Sequence, residues 1–170
     1  MLSSKIEAAL NQQIEMESNA SQSYLAMACW CDSKALEGCA KFLYAQAEEE
    51  RMHMLKLLHH LNESGGFAIT PAVKQPTLQF ENILSLFQQA YKNELAVSKA
   101  ISKLVDLCET ERDRQTANFL QWFLDEQHEE EATYRSLLDK IELIGIEGRG
   151  LYFIDKEVDI LANARAENPE

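Results

Sequence analysis

The chain has 170 residues, 46% of them hydrophobic, three prolines, six glycines and a formal net charge of −12. That length buries a core without disulfide or metal staples, and the apolar share excludes a disordered chain. The acidity excludes a nucleic-acid or anionic-membrane surface, because both need a basic face to displace counterions. No run of about twenty apolar residues occurs, and residues 1–9 carry neither an apolar signal core nor a cleavage site, so the sequence reads as one cytoplasmic domain over 1–170 with no membrane partner.

A first helix is predicted from about Ser4 to Asp32, with Ile6, Leu10, Gln13, Glu17, Ala20, Tyr24, Met27 and Cys31 at three- and four-residue steps. A second runs from about Ala35 to Glu63, its stripe passing through Leu43, Ala47, Glu50, His53, Met54, Leu57 and Leu61 before Ser64-Gly65-Gly66 stops it. After a long loop holding Pro71 and Pro76, Asn82 is the expected N-cap of a third helix reaching about Glu109 through Leu86, Phe87, Tyr91, Glu94, Val97, Ile101 and Leu104. The fourth spans about Asp113 to Ile144, through Leu120, Phe123, Gln127, Glu130, Tyr134, Leu137 and Ile141, and a short fifth covers Leu151 to Ala162. Four long helices with two tight connections and one long one predict an all-α four-helix bundle with a single crossover, plus a short C-terminal helix. About sixteen extended residues reach roughly 50 Å, enough to cross a helix of about 42 Å.

The stripes are interrupted by polar groups at matching heights. Glu17 and Glu50 lie equally far from the turn near Ser33, while Glu94 mirrors Gln127 and Glu130 about the turn near Glu111. Antiparallel hairpins therefore bring all five, with the His53 of the Glu50-Arg51-Met52-His53 step, to one layer at the waist. Ionised groups facing a core cost several kcal/mol unless paired or metal-bound. Carboxylate oxygens plus an imidazole favour iron or manganese over Cu(I). Tyr24 sits two turns from Glu17 on the same face, open to two readings: a redox participant, or a core aromatic whose hydroxyl bonds a carboxylate. His59, His60 and His128 fall at a helix end or off the stripe and read as solvated. Cys29, Cys31, Cys39 and Cys108 make no Cys-x-x-Cys pair and read as reduced helix residues.

The residues Glu17, Tyr24, Ala47 through Met54, Glu94, Asn118 through Trp122, Glu126 through Glu131 and Gly150 through Glu157 together resemble the bacterial non-haem ferritins, over essentially the whole chain. The resemblance implies an iron-storage protein whose ferroxidase centre oxidises Fe²⁺ with O₂ or H₂O₂ inside a 24-subunit hollow shell. It assigns Glu17, Glu50 and His53 to a first iron, Glu50 as the bridge, and Glu94, with Gln127 beside it and Glu130 reaching in, to a second. Glu49, Glu126, Glu129 and Glu130 resemble the additional iron site of bacterial members. Haem-binding relatives place a methionine directly after the bridging glutamate, where this chain has Arg51, so no haem is expected. Two rivals stay open: a di-iron oxygenase or peroxidase, disfavoured because Glu130 rather than an imidazole stands three residues after Gln127 and because no rubredoxin-like Cys-x-x-Cys pair occurs, and a metal-free bundle whose polar layer only sets register.

Overall fold

The computed structural model describes residues 2–167 and has five helices: α1 Ser4–Ser33, α2 Glu37–Glu63, α3 Ile83–Glu111, α4 Arg114–Ile144 and α5 Gly150–Glu167. Helix α1 pairs with α2 and α3 with α4, α1 bridges to α3, and α5 lies against α2 and touches α4. This is the expected four-helix bundle with one crossover and a C-terminal helix.

The helix starts follow local capping chemistry. The Ser3 hydroxyl accepts from the Ile6 amide, Asp113 accepts from the Thr116 amide, and Asn82 and Ser85 form a reciprocal capping box that starts α3. Helix α2 begins at Glu37 rather than Ala35, because Ala35 adopts a left-handed conformation (φ 58°) to close the turn. Its own N-cap, Leu36, has no side-chain oxygen to offer. The missing acceptor arrives from the far end of the sequence: Asp155 Oδ1 of α5 accepts from the Cys39 amide at 2.9 Å.

Residues 64–82 make the crossover, and they travel the length of α1. Near its start, Asn11 accepts from the Ile69 amide (2.7 Å) and donates to the Phe67 carbonyl (3.0 Å), while Glu7 accepts from the Phe67 amide (3.1 Å). Lys74 then pairs with Glu15, and Phe80 packs edge-on against Trp30 close to the helix end. The loop's backbone groups thus find partners on α1, which explains how a long irregular segment persists in a compact molecule.

The apolar interior falls into two clusters. One contains Tyr24, Phe42, Leu43, Phe87, Tyr134 and Ile141 and continues under α5 through Ile154 and Val158. The other contains Ile6, Leu10, Leu57, Ile101, Leu120 and Phe123 at the opposite end. Between them lies a buried polar layer of Gln13, Glu17, Gln46, Glu50, His53, Glu94, Gln127 and Glu130.

Helix α5 is longer than its predicted end at Ala162, continuing to Glu167. Its approach to α2 is tight: a Cβ on Gly38 would meet the Asp155 carbonyl oxygen at 2.2 Å and Asp159 Cβ at 2.8 Å. Backbone cannot yield there as a flexible side chain could. Gly38→Ala is therefore expected to unseat α5 at a cost of about 1–3 kcal/mol. Hydrogen exchange should quicken across residues 150–167 while α3 and α4 keep their protection; unchanged protection in α5 would refute the close-packing argument.

Candidate metal centre

Each helix of the bundle contributes to the layer from its middle turns, as the matched spacing requires. Glu17, Glu50 and His53 are buried, and one ligand atom from each lies within 4.8 Å of the others. Gln13, one turn before Glu17, donates its amide to Glu17 Oε1 at 2.7 Å. His53 Nδ1 stands 3.5 Å from Glu50 Oε2, too far to satisfy it. Trp122 and Phe123 of α4 pack edge-on against the His53 ring and fix its plane.

Across the layer, Glu94 is held at both oxygens. Tyr24 donates its hydroxyl to Oε1, and Gln127 donates its amide to Oε2 at 3.1 Å. Tyr24 is thus a buried aromatic bonded to a carboxylate, and it stacks on Tyr134 with ring centres 6.2 Å apart. Gln127 also reaches Ser98 Oγ and the Glu94 carbonyl, each at 3.3 Å, so its NH₂ group orients Glu94.

Glu130 lies deeper than Glu49, and both meet Gln46 and Arg165. Gln46 donates to Glu49 Oε2 at 2.5 Å and accepts from the Tyr134 hydroxyl at 3.2 Å. Glu126 is buried on the same face of α4, while Glu129 is exposed. The four acids expected to act together therefore divide: Glu49, Glu126 and Glu130 border one region, and Glu129 points outward. A groove of about 590 Å³ runs past Glu49, His53, Trp122, Glu126 and Arg165, giving the layer a route to the surface.

The electrostatics mark a group of acids short of a cation. Burial raises the Glu17 carboxyl well above the usual range, helped by repulsion from Glu50. Glu50 is raised likewise by burial and then by Glu94. Glu94 is raised by burial although its bonds from Tyr24 and Gln127 pull the other way, and Glu130 is pushed up to about 7 by burial despite Arg165 beside it. Most telling, three of the four buried side-chain oxygens with no hydrogen-bond partner among the described residues belong to this layer: Oε2 of Glu17, of Glu50 and of Glu130, the fourth being Asn19 Oδ1. Buried acceptors are almost always satisfied. The Glu17 and Glu50 carboxylates converging with the His53 imidazole, and no thiolate among them, fit ferrous or manganous ions.

Among the remaining candidates, His128 is exposed and His59 lines the groove. His60 differs from its expected solvation: it stacks face-to-face on Phe119 at 3.8 Å, its Nε2 lies 3.3 Å from Thr116 Oγ1, and burial lowers its pKa. All four cysteines are free, three of them buried. Sequence periodicity missed Arg165, which lies beyond the predicted end of the fifth helix, and Gln46, which sits one step off the α2 stripe. The only available signal for Gln46 was its place one turn before Glu50.

The profile of the family described as a ferritin-like domain matches residues 7–144. The bacterial non-heme ferritin of Campylobacter jejuni is 42% identical over 97% of this chain and 99% of its own length. A probable bacterial non-heme ferritin-like protein of Haemophilus influenzae is 40% identical over 95% and 98%. Among solved structures, the open-pore ferritin of the archaeon Archaeoglobus fulgidus superposes with a TM-score of 0.91 at 38% identity, covering 94% of this chain and 98% of that one. No helix among the described residues is long and apolar enough to cross a membrane. With a crossover bundle, a buried carboxylate–imidazole layer at its waist and near-full-length likeness in sequence and in shape, the chain belongs to the ferritin family, among the bacterial non-haem ferritins.

Proposed function

We propose that this protein stores iron, oxidising Fe²⁺ at the waist of the bundle and passing Fe³⁺ to a ferric mineral within a closed homo-oligomeric shell of 24 subunits. The reading is carried by the unpartnered carboxylate oxygens of Glu17 and Glu50, whose side chains cluster with His53, and by a third on Glu130 in the same buried layer. Iron is here the substrate. Glu17, Glu50 and His53 take one Fe²⁺, and Glu50, whose carboxyl is raised by burial and then by Glu94, bridges to a second held by Glu94. Two Fe²⁺ supply the two electrons that reduce O₂ to peroxide, or H₂O₂ to water. Tyr24 and Gln127 orient Glu94, and the carboxylates favour the higher charge of Fe³⁺. Glu49, Glu126 and Glu130 form a third iron position on the way out, with Glu129 beyond it on the surface. The protein is read as acting in the cytoplasm.

Two variants test the centre. Glu50→Ala combined with His53→Ala should fold, since each flanking apolar cluster is intact, but should lose at least tenfold in the initial rate of aerobic Fe²⁺ oxidation followed by absorbance of ferric species. Oxidation at the parental rate would dismiss the centre. Iron assays on the shell fraction from size-exclusion chromatography should exceed three irons per subunit severalfold after aerobic loading; a plateau near two would end the storage reading and favour a retained di-iron enzyme.

The metal-free protein carries a stability penalty whose pH dependence follows from the raised carboxyls. A carboxyl with a folded pKa above its unfolded value stabilises most when protonated in both states. That contribution is lost as pH rises through the folded pKa, which for Glu130 is about 7. Lowering pH from 8 to 6 should therefore stabilise the apoprotein by about 1 kcal/mol through Glu130, raising Tm by roughly 2–4 °C. The increment should vanish in Glu130→Gln. Calorimetry showing the same Tm rise in both proteins would assign it elsewhere. Glu17→Gln, which removes a repelled buried charge, should raise the apoprotein Tm at pH 8.

A further inference from the structure

Arg165, in the last turn of α5, turns its guanidinium toward α2 and α4. Nη2 donates to both oxygens of Glu49, at 3.0 and 3.1 Å, and to Glu130 Oε1 at 2.5 Å, while Nη1 donates to Gln46 Oε1 at 3.3 Å. Glu130 is 2% exposed and Arg165 26%, and Glu49, Glu126 and Arg165 border the same groove. A guanidinium is charged at any pH a protein survives. Burial works against that charge, but Glu130 and Glu49 outweigh it and raise the Arg165 pKa.

This cation stands on the carboxylates assigned above to the third iron. A divalent ion using Glu49 and Glu130 needs the oxygens that Arg165 holds, and two positive centres a few ångströms apart in a poorly screened interior repel strongly. Yet Arg165 satisfies the group only halfway, since Glu130 Oε2 remains buried with no partner. A metal ion can draw on both oxygens where the guanidinium reaches one.

The attachment of α5 leaves the arginine free to withdraw. Asp155 caps α2, Ile154, Val158 and Ala162 are buried in the core, and Lys41 pairs with Asp159 and Asn163. These side chains seat α5 over residues 154–163, so a rearrangement confined to the turn that carries Arg165 leaves them in place.

We propose that Arg165 is a built-in placeholder cation: it occupies the Glu49–Glu130 pair in the metal-free protein and must leave, with the last turn of α5, for a divalent ion to bind there. The proposal rests on the reading of Glu49, Glu126 and Glu130 as a metal position. Its consequence is a site made weaker by competition with the protein's own charge, holding an ion long enough to pass but not to keep.

Redox-inert Zn²⁺ tests this in the intact metal-free protein. Calorimetric titration of R165Q should show the parental number of Zn²⁺ per subunit with one class bound at least tenfold tighter, and R165K should fall between. Zn²⁺ should speed amide exchange at residues 164–167 of the parent while leaving 154–162 unchanged. E49Q/E130Q should lose that Zn²⁺ class and exchange rapidly at 164–167 with or without metal. Equal or weaker Zn²⁺ binding by R165Q, or slower exchange at 164–167 on adding Zn²⁺, overturns the placeholder while leaving the metal position in place. Retention of every Zn²⁺ class by E49Q/E130Q removes the metal position and the placeholder together.

Discussion

Burying carboxylates halfway along a helical bundle divides its core. Tyr24, Phe42 and Tyr134 pack on one side of the layer, Leu10, Leu57 and Phe123 on the other, and the acids between them contribute no apolar burial. Each ionised group costs several kcal/mol to desolvate. The two apolar clusters must therefore supply the stability of the fold, and they also hold the layer rigid, since packed side chains on both sides prevent Glu17 and Glu50 from turning out to water. The same division explains the neutral donors gathered there. Gln13, Tyr24 and Gln127 each spend a hydrogen bond on a carboxylate, which limits the penalty without supplying a counter-charge.

Helix α5 takes part in both tasks. At its start Asp155 supplies the acceptor that Leu36 cannot, and Gly38 lets the two backbones close; some way along, Ile154 and Val158 join the core. At its end Arg165 reaches the edge of the polar layer. Eighteen residues at about 1.5 Å each span roughly 27 Å, so one element couples the capped end of α2 to its acidic waist.

The layer was legible in the sequence because helical geometry leaves little freedom. Once Ser33 and Glu111 are taken as turns, a fixed rise per residue determines which positions share a height, and the stripes determine which face inward. Glu17, Glu50, His53, Glu94, Gln127 and Glu130 are all buried where that arithmetic put them. What it could not supply was contact between segments far apart in sequence. The Asp155 cap on α2 joins residues 116 apart, and the Arg165 bond to Glu49 spans the same separation. Residues 164–167 continue α5 with alanines and charged side chains that leave no apolar stripe to extend. His60 escaped for a related reason: its partner Phe119 lies on another helix, and the ring pair forms only once α2 and α4 are packed.

The two halves of the layer are unequal in a way that bears on the order of events in the proposed chemistry. Glu17 and Glu50 each carry an oxygen without a partner in the layer that holds His53, so a first ion there meets open acceptors and offsets the burial that raises both carboxyls. Glu94 presents oxygens already taken by Tyr24 and Gln127, so a second ion must compete with two hydrogen bonds. Replacing a carboxylate by the Gln127 carboxamide also removes a charge from that half. On the proposed function, filling would run from the unsatisfied half to the satisfied one, and the ion that arrives last would be held least. An asymmetric pair of this kind would suit iron as traffic: a site with equal, saturated halves would keep its metal, whereas one that gains most from the first ion would give up the second readily.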